Sequence, residues 1–246
     1  MDDIILPLIL VSVITLAASY IQGVTGFGFG IFAMIFLPSV LKYTEANVLS
    51  TILSTFTSLA VMALTFRKTN WKNLIFPTIG CLASTYFAVL FIKSQDSRIL
   101  TLLLGVALFL LSAYFFFFTD KIRIRPTWYA GLIAGIISGV MGGMFSIGGP
   151  PVVIYFIQSE KENDSYLATI SAYFVLSGII SVVTKAAAGF ITSAVWICLA
   201  AGVISMLIGS LAGKLTRDKI NPAFVKRLVY GFMAVSGIAN ILTSLI

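Results

Sequence analysis

The chain predicts a polytopic, all-α membrane protein, and three observations carry that reading. Charged residues fill only 10% of 246 positions against 59% hydrophobic, with mean hydropathy +1.05. A soluble domain carries about 25% charged residues. Uncharged runs at Ile4–Leu41, Asn73–Ile92, Pro126–Ser159, Ala186–Gly213 and Leu228–Ile246 each exceed the roughly 18 residues that license a membrane span. Two glycine-rich stretches then interrupt otherwise apolar segments, and they recur 116 positions apart, Gly23 to Gly139.

Taken in order, a long segment Ile4–Leu41 is broken at Gln22-Gly23-Val24-Thr25-Gly26-Phe27-Gly28-Phe29-Gly30. Glycine weakens a helix by roughly 1 kcal/mol relative to alanine. Spans follow at Thr44–Phe66, Asn73–Ile92 and Arg98–Phe118. A basic connector, Asp120–Pro126, separates residues 1–119 from residues 127–246. The second half opens with Thr127–Gln158, broken at Gly139–Pro151, where a prolyl pair also restricts the residue before it. A polar loop, Ser159–Asp164, leads to spans at Ser165–Thr184, Ile191–Gly213 and Ala223–Leu245. Each half is thus a broken segment followed by three spans, eight segments in two repeats. Gly23 with Gly139, Gly26 with Gly142, Cys81 with Cys198 and Gly105 with Gly231 are the finer matches, meaningful only together.

Charge decides between two topologies. Single crossings of the broken segments split the basic residues nine against seven, which is no bias. Re-entrant hairpins put Arg67, Lys68, Lys72, Lys121, Arg123, Arg125, Lys161, Lys214, Arg217, Lys219, Lys226 and Arg227 on one face. Only Lys42, Lys93, Arg98 and Lys185 fall on the other. The positive-inside bias favours the hairpins, with both termini outside and the halves inverted. The length of Thr127–Gln158 also permits one discontinuous span, so both forms stay open.

Several classes are excluded. The net charge of +7 comes with no Lys/Arg cluster on a soluble face, so it reads as cytoplasmic loops rather than a nucleic-acid surface. Asp2 and Asp3 are not the basic n-region of a cleaved leader, so the first segment is expected to be retained. With two cysteines and no histidine, metal and disulfide frameworks are implausible. Cys81 and Cys198 read as small buried packing residues. No histidine, no G-x-S-x-G elbow and no membrane aspartate argue against an enzyme. Trp71, Trp128, Trp196 and Tyr114–Phe118 read as interface or packing aromatics. Lys185, near a span end, is the one cation that could reach the transport path, with snorkelling to the interface as its expected role.

The breaks are the expected site. Lipid tolerates freed backbone groups only where protein or a water-filled cavity satisfies them. Paired interruptions in the two halves of a membrane chain point to a transporter's binding site. Segments starting near Phe29–Gly30 and Pro150–Pro151 would turn their N-terminal ends inward, offering N–H groups and positive dipole ends to an anion. Glycine permits close approach to the backbone. The candidate binding residues are Gln22, Gly23, Thr25, Gly26, Phe27, Gly28, Asn47, Ser50, Gly142, Gly143, Ser146, Gly148, Gly149, Ser171 and Tyr173. Asn47, Ser50, Thr51 and Ser54 share one helix face at i, i+3, i+4 and i+7. The bland alternative is helix packing through small polar residues.

Gln22-Gly23-x-x-Gly26-Phe27-Gly28-x-Gly30 with Pro38, and Gly142-Gly143-x-x-Ser146-x-Gly148-Gly149-Pro150, resemble the TauE/SafE sulfite exporter family, also called the 4-toluene sulfonate uptake permeases. The resemblance spans the chain. It implies transport of sulfite, sulfonates such as sulfoacetate, or other small sulfur-containing anions across the bacterial cytoplasmic membrane; the direction does not follow from the resemblance, and export by alternating access around a midplane site is the expectation. An anion channel and a proton-coupled uptake permease are the alternatives. The expected partners are a small anion and the lipid bilayer, with no nucleic acid and no cofactor, the protein acting as a monomer or homodimer.

Overall fold

The computed structural model describes residues 2–118, 124–216 and 219–245. They are helical, and eight of the helices are long and apolar enough to cross a membrane. In the first half α1 (Asp2–Thr25) is followed by the short α2 (Phe29–Phe36), then α3 (Tyr43–Thr65), α4 (Trp71–Lys93) and α5 (Ser97–Phe118). In the second, α6 (Trp128–Phe145) is followed by the short α7 (Gly149–Ser159), then α8 (Asn163–Ala187), α9 (Ser193–Thr216) and α10 (Pro222–Leu245). The six unbroken spans fall within three residues of the sequence expectation. Much of the basic connector, and Arg217, lie outside the described residues.

The breaks have backbone causes. At the end of α1, Gly26 and Gly28 take φ of 84° and 105°, a left-handed conformation that glycine adopts without a Cβ penalty. At the end of α6 the same turn falls on Ser146, with φ 57°, a conformation a non-glycine residue holds only when its surroundings over-determine it.

Helix pairs meet through glycine seams. Along α4 and α6, Gly80 lies against Leu132 and Ile136, Gly139 against Cys81 and Ser84, and Gly143 against Ala88. Numbers rise together, so the two helices are parallel. Along α1 and α9, Gly209 lies against Leu16 and Ser19, and Gly213 against Tyr20 and Gly23, again parallel. The central pair, α3 and α8, is antiparallel: Lys185 meets Thr51, Gly178 meets Thr55, and the Asn70 amide donates to the Thr169 hydroxyl. So are α5 and α10, where Arg98 donates to the Ser244 carbonyl and Ser112 to the Tyr230 carbonyl. Large apolar side chains such as Phe87, Leu110, Ile204 and Val235 point outward, as a lipid-facing surface requires.

The paired positions of the sequence reading fare unevenly. Gly23 and Gly139 both sit on parallel seams. Gly26 lies beyond the end of α1, whereas Gly142 is inside α6. Gly105 is pressed against Asn240 and Gly237, while Gly231 has open space around it. Trp71, Trp128 and Trp196 are exposed, but Phe115 of the aromatic run is buried and stacks on Tyr230, ring centroids 4.6 Å apart.

Candidate functional site

Both breaks face one cavity of about 80 Å³, room for several waters. The starts of α2 and α7 enter it together with the middle of α3, α4, α6 and α8. Its wall carries the hydroxyls of Thr51, Ser54, Ser58, Thr85, Ser138, Ser146, Ser177 and Ser181 but, among the described residues, no Asp, Glu, Lys or Arg. Phe27, Phe29, Ile31, Ile147 and Phe174 supply the apolar part. The two breaks touch directly: a Cβ on Gly30 would stand 1.9 Å from the Ser146 carbonyl oxygen.

The end of α6 shows how the site is held. The last carbonyls of a helix have no partner within it. Here Met144 O accepts from Tyr43 Oη at 2.6 Å and Asn47 Nδ2 at 2.7 Å. Gly142 O accepts the Ser146 amide and, at 3.3 Å, the Lys185 ammonium. Lys185 Nζ also donates to Thr51 Oγ1 at 2.6 Å and lies 3.3 Å from Ser146 Oγ. Lys185 is 0% exposed. This corrects the snorkelling expectation. Helix α8 runs to Ala187, which keeps Lys185 inside its last turn, and two acceptors at the α6 terminus with Thr51 Oγ1 on α3 draw the ammonium inward. Among the described residues no carboxylate pairs with it, the one ion pair being Lys68–Asp164. A cation buried without an acid partner costs several kcal/mol unless hydrogen bonds or an anion compensate.

The structure brings some of the expected residues together and leaves others apart. Gln22, Phe27, Gly28, Gly142, Ser146, Gly148 and Gly149 line the cavity. Gln22 also donates to Ser58 Oγ at 3.3 Å. Asn47 does not line it, but its carbonyl accepts from Ser146 Oγ at 2.8 Å and Thr51 Oγ1 at 2.9 Å, so it holds two residues that do. Tyr173 likewise stands behind the wall, donating to Ser138 Oγ at 2.8 Å. Gly23 and Gly143 belong to the packing seams. Thr25 turns back on the end of α1, within 2.7 Å of Ile21 O and 2.6 Å of Phe27 O. Gly26, Ser50 and Ser171 are not in the lining.

The two short helices are not equivalent as anion binders. No side chain caps either one. Helix α2 opens with Phe29, Gly30 and Ile31, each bearing an N–H, whereas Pro150 and Pro151 remove two donors from the first turn of α7. Sequence reasoning missed Ser177 and Ser181 and set Lys185 at the interface, although their i, i+4, i+8 spacing marks one face of α8. It also missed the lining position of Cys81.

A protein of Cupriavidus necator named as a probable sulfite/organosulfonate exporter TauE is 23% identical over 99% of this chain and 97% of its own length. A protein of Methanocaldococcus jannaschii named as a probable membrane transporter is 27% identical over 72% of this chain and 70% of its own. Both are named as transporters, not enzymes. No solved structure matches the chain. The model of the sulfite exporter TauE/SafE family matches residues 11–240, and the chain belongs to that family.

Proposed function

We propose that the protein exports small sulfur-containing anions (sulfite, sulfoacetate or other organosulfonates) across the bacterial cytoplasmic membrane by alternating access around the cavity. One observation carries the reading: among the described residues, a cavity lined by hydroxyls and free of charged side chains is backed by Lys185, whose ammonium has no acid partner. An oxyanion is the ligand such a site favours. Donors satisfy its oxygens and the buried charge is compensated.

Helix directions support a site at the meeting of two inverted halves. Short connections at residues 66–70 and 188–192 reverse the chain. With α3 antiparallel to α8 and α1 parallel to α9, helix α1 then runs the same way as α3, so α2 is a return stroke. The same argument makes α7 the return between α6 and α8. Two re-entrant hairpins then leave three crossings per half, with the termini on the outer face.

A thermal-shift screen of the purified protein with sulfite, sulfate, thiosulfate and organosulfonates tests the reading, because a ligand of the folded state raises apparent stability. Stabilisation by at least one of these anions, with saturable flux of it into liposomes, is expected. No stabilisation by any of them overturns it.

A further inference from the structure

The cavity's charge and hydroxyl arrangement goes further than the class of ligand. Ser181 Oγ is 5% exposed, lines the cavity and has no hydrogen-bond partner. A buried hydroxyl left without a partner is uncommon and calls for one. One helical turn on, Lys185 reaches not into the cavity but to Thr51 Oγ1 and Ser146 Oγ, which do line it. An ammonium only donates. It occupies acceptor sites on both hydroxyls and leaves their protons to point elsewhere. These protons reach the Asn47 carbonyl, at 2.9 Å from Thr51 Oγ1 and 2.8 Å from Ser146 Oγ, or the oxygen of the other hydroxyl across 2.6 Å. Two protons with three destinations can be redirected into the cavity at little cost.

We propose that the cavity takes a singly charged anion, bound directly by the Ser181 hydroxyl and neutralised by Lys185 acting through the Thr51 and Ser146 hydroxyls. The inference rests on the transport reading above and narrows it by charge class: hydrogen sulfite and monosulfonates fit, whereas sulfoacetate, with its carboxylate ionised, is a dianion and falls outside. One buried cation balances one negative charge. A dianion would bring a second charge into a space whose lining holds no further cation. The remaining titratable groups on the elements around Lys185 are engaged or distant. Tyr43 donates to Met144 O, Glu45 accepts from Thr192 Oγ1, Tyr173 donates to Ser138, and Asp164 pairs with Lys68 at the far end of α8. Cys81 is a free, buried thiol in the cavity wall. For sulfite, which titrates near neutral pH, the bound form would be hydrogen sulfite.

The test is calorimetric binding to the full chain in detergent, with methanesulfonate as a permanent monoanion, sulfate as a dianion, and sulfite from below to above its own ionisation. Methanesulfonate should bind at least tenfold more tightly than sulfate. Sulfite affinity should fall towards tenfold per pH unit once the dianion dominates, while methanesulfonate affinity stays level. Ser181→Ala should weaken methanesulfonate binding several-fold with an unchanged melting temperature. Lys185→Met should abolish it. If Lys185→Met does not fold, Ser181→Ala and the pH series still decide. Sulfate binding as tightly as methanesulfonate, or sulfite affinity rising with pH, overturns the monoanion assignment and leaves the transport reading standing. Binding of none of the three removes both.

Discussion

Thr51 is the residue through which the buried cation meets the cavity. Replacing it with valine keeps the volume but removes one of three acceptors of the Lys185 ammonium. Losing a partner from a buried charged group costs about 1–3 kcal/mol. Thr51→Val should therefore lower the melting temperature and weaken anion binding together, whereas a purely structural hydroxyl would move only the first. Gly142 makes the complementary test. A Cβ there meets nothing nearer than Gly148 Cα at 3.5 Å and enters the cavity wall. Gly142→Ala should fold with a melting temperature no lower yet bind several-fold more weakly, and Gly231→Ala, inside α10 with open space around it, should raise the melting temperature slightly and leave binding unchanged. The glycines and Ser146 were legible in the sequence because they break an apolar pattern. The role of Lys185 was not, because a lysine two residues from a helix end looks the same whether it turns to the interface or under a neighbouring helix terminus.

At the scale of elements, length and charge sufficed to locate the spans, since each unbroken apolar run exceeds the membrane's thickness in helical residues. Partner choice was hidden. Small residues mark where a helix can be approached closely without saying by which neighbour, so the pairing of α1 with α9 and α4 with α6 appears only in the structure. Those seams are tight. A Cβ on Gly135 would stand 2.1 Å from the Pro77 carbonyl oxygen, and one on Gly213 would stand 2.5 Å from that of Tyr20. Backbone atoms cannot rotate aside as a side chain can, so the helices must separate. Overpacking a fitted contact costs about 1–3 kcal/mol. Gly135→Ala and Gly213→Ala should each lower thermal stability by at least that range, read by melting in detergent. Any folded fraction should keep its anion affinity, because neither residue lines the cavity.

For the whole molecule, the main helix pairings among the described residues correspond when the halves are exchanged, although the contacts of α10 with α1 and α2 have no comparable counterpart in the other half. The α1–α9 seam maps onto α6–α4, while α3–α8 and α5–α10 map onto themselves. This is the relation expected of two copies sharing one site. Transport should also proceed without a membrane carboxylate. Glu45, 8% exposed in the first turn of α3, accepts from Thr192 Oγ1 outside the cavity. Glu45→Gln can still accept that bond and should leave methanesulfonate flux into liposomes unchanged, with no obligatory dependence on an imposed pH gradient. Orientation gives the sharpest test of the hairpins. If α2 and α7 are return strokes, α3 and α9 end at the same face, so Arg67 and Lys214 share it despite lying in different halves. Single discontinuous crossings would instead put them on opposite faces. Lys42 and Lys93 lie opposite Arg67 under the hairpin arrangement. All four are exposed, so cysteine replacement at each should be tolerated. In inverted and right-side-out vesicles, Arg67→Cys and Lys214→Cys should react with an impermeant maleimide from the cytoplasmic side, and Lys42→Cys and Lys93→Cys from the outer side. Labelling of Arg67→Cys and Lys214→Cys from different sides would rule out the inverted halves and, with them, a site formed where two hairpins meet.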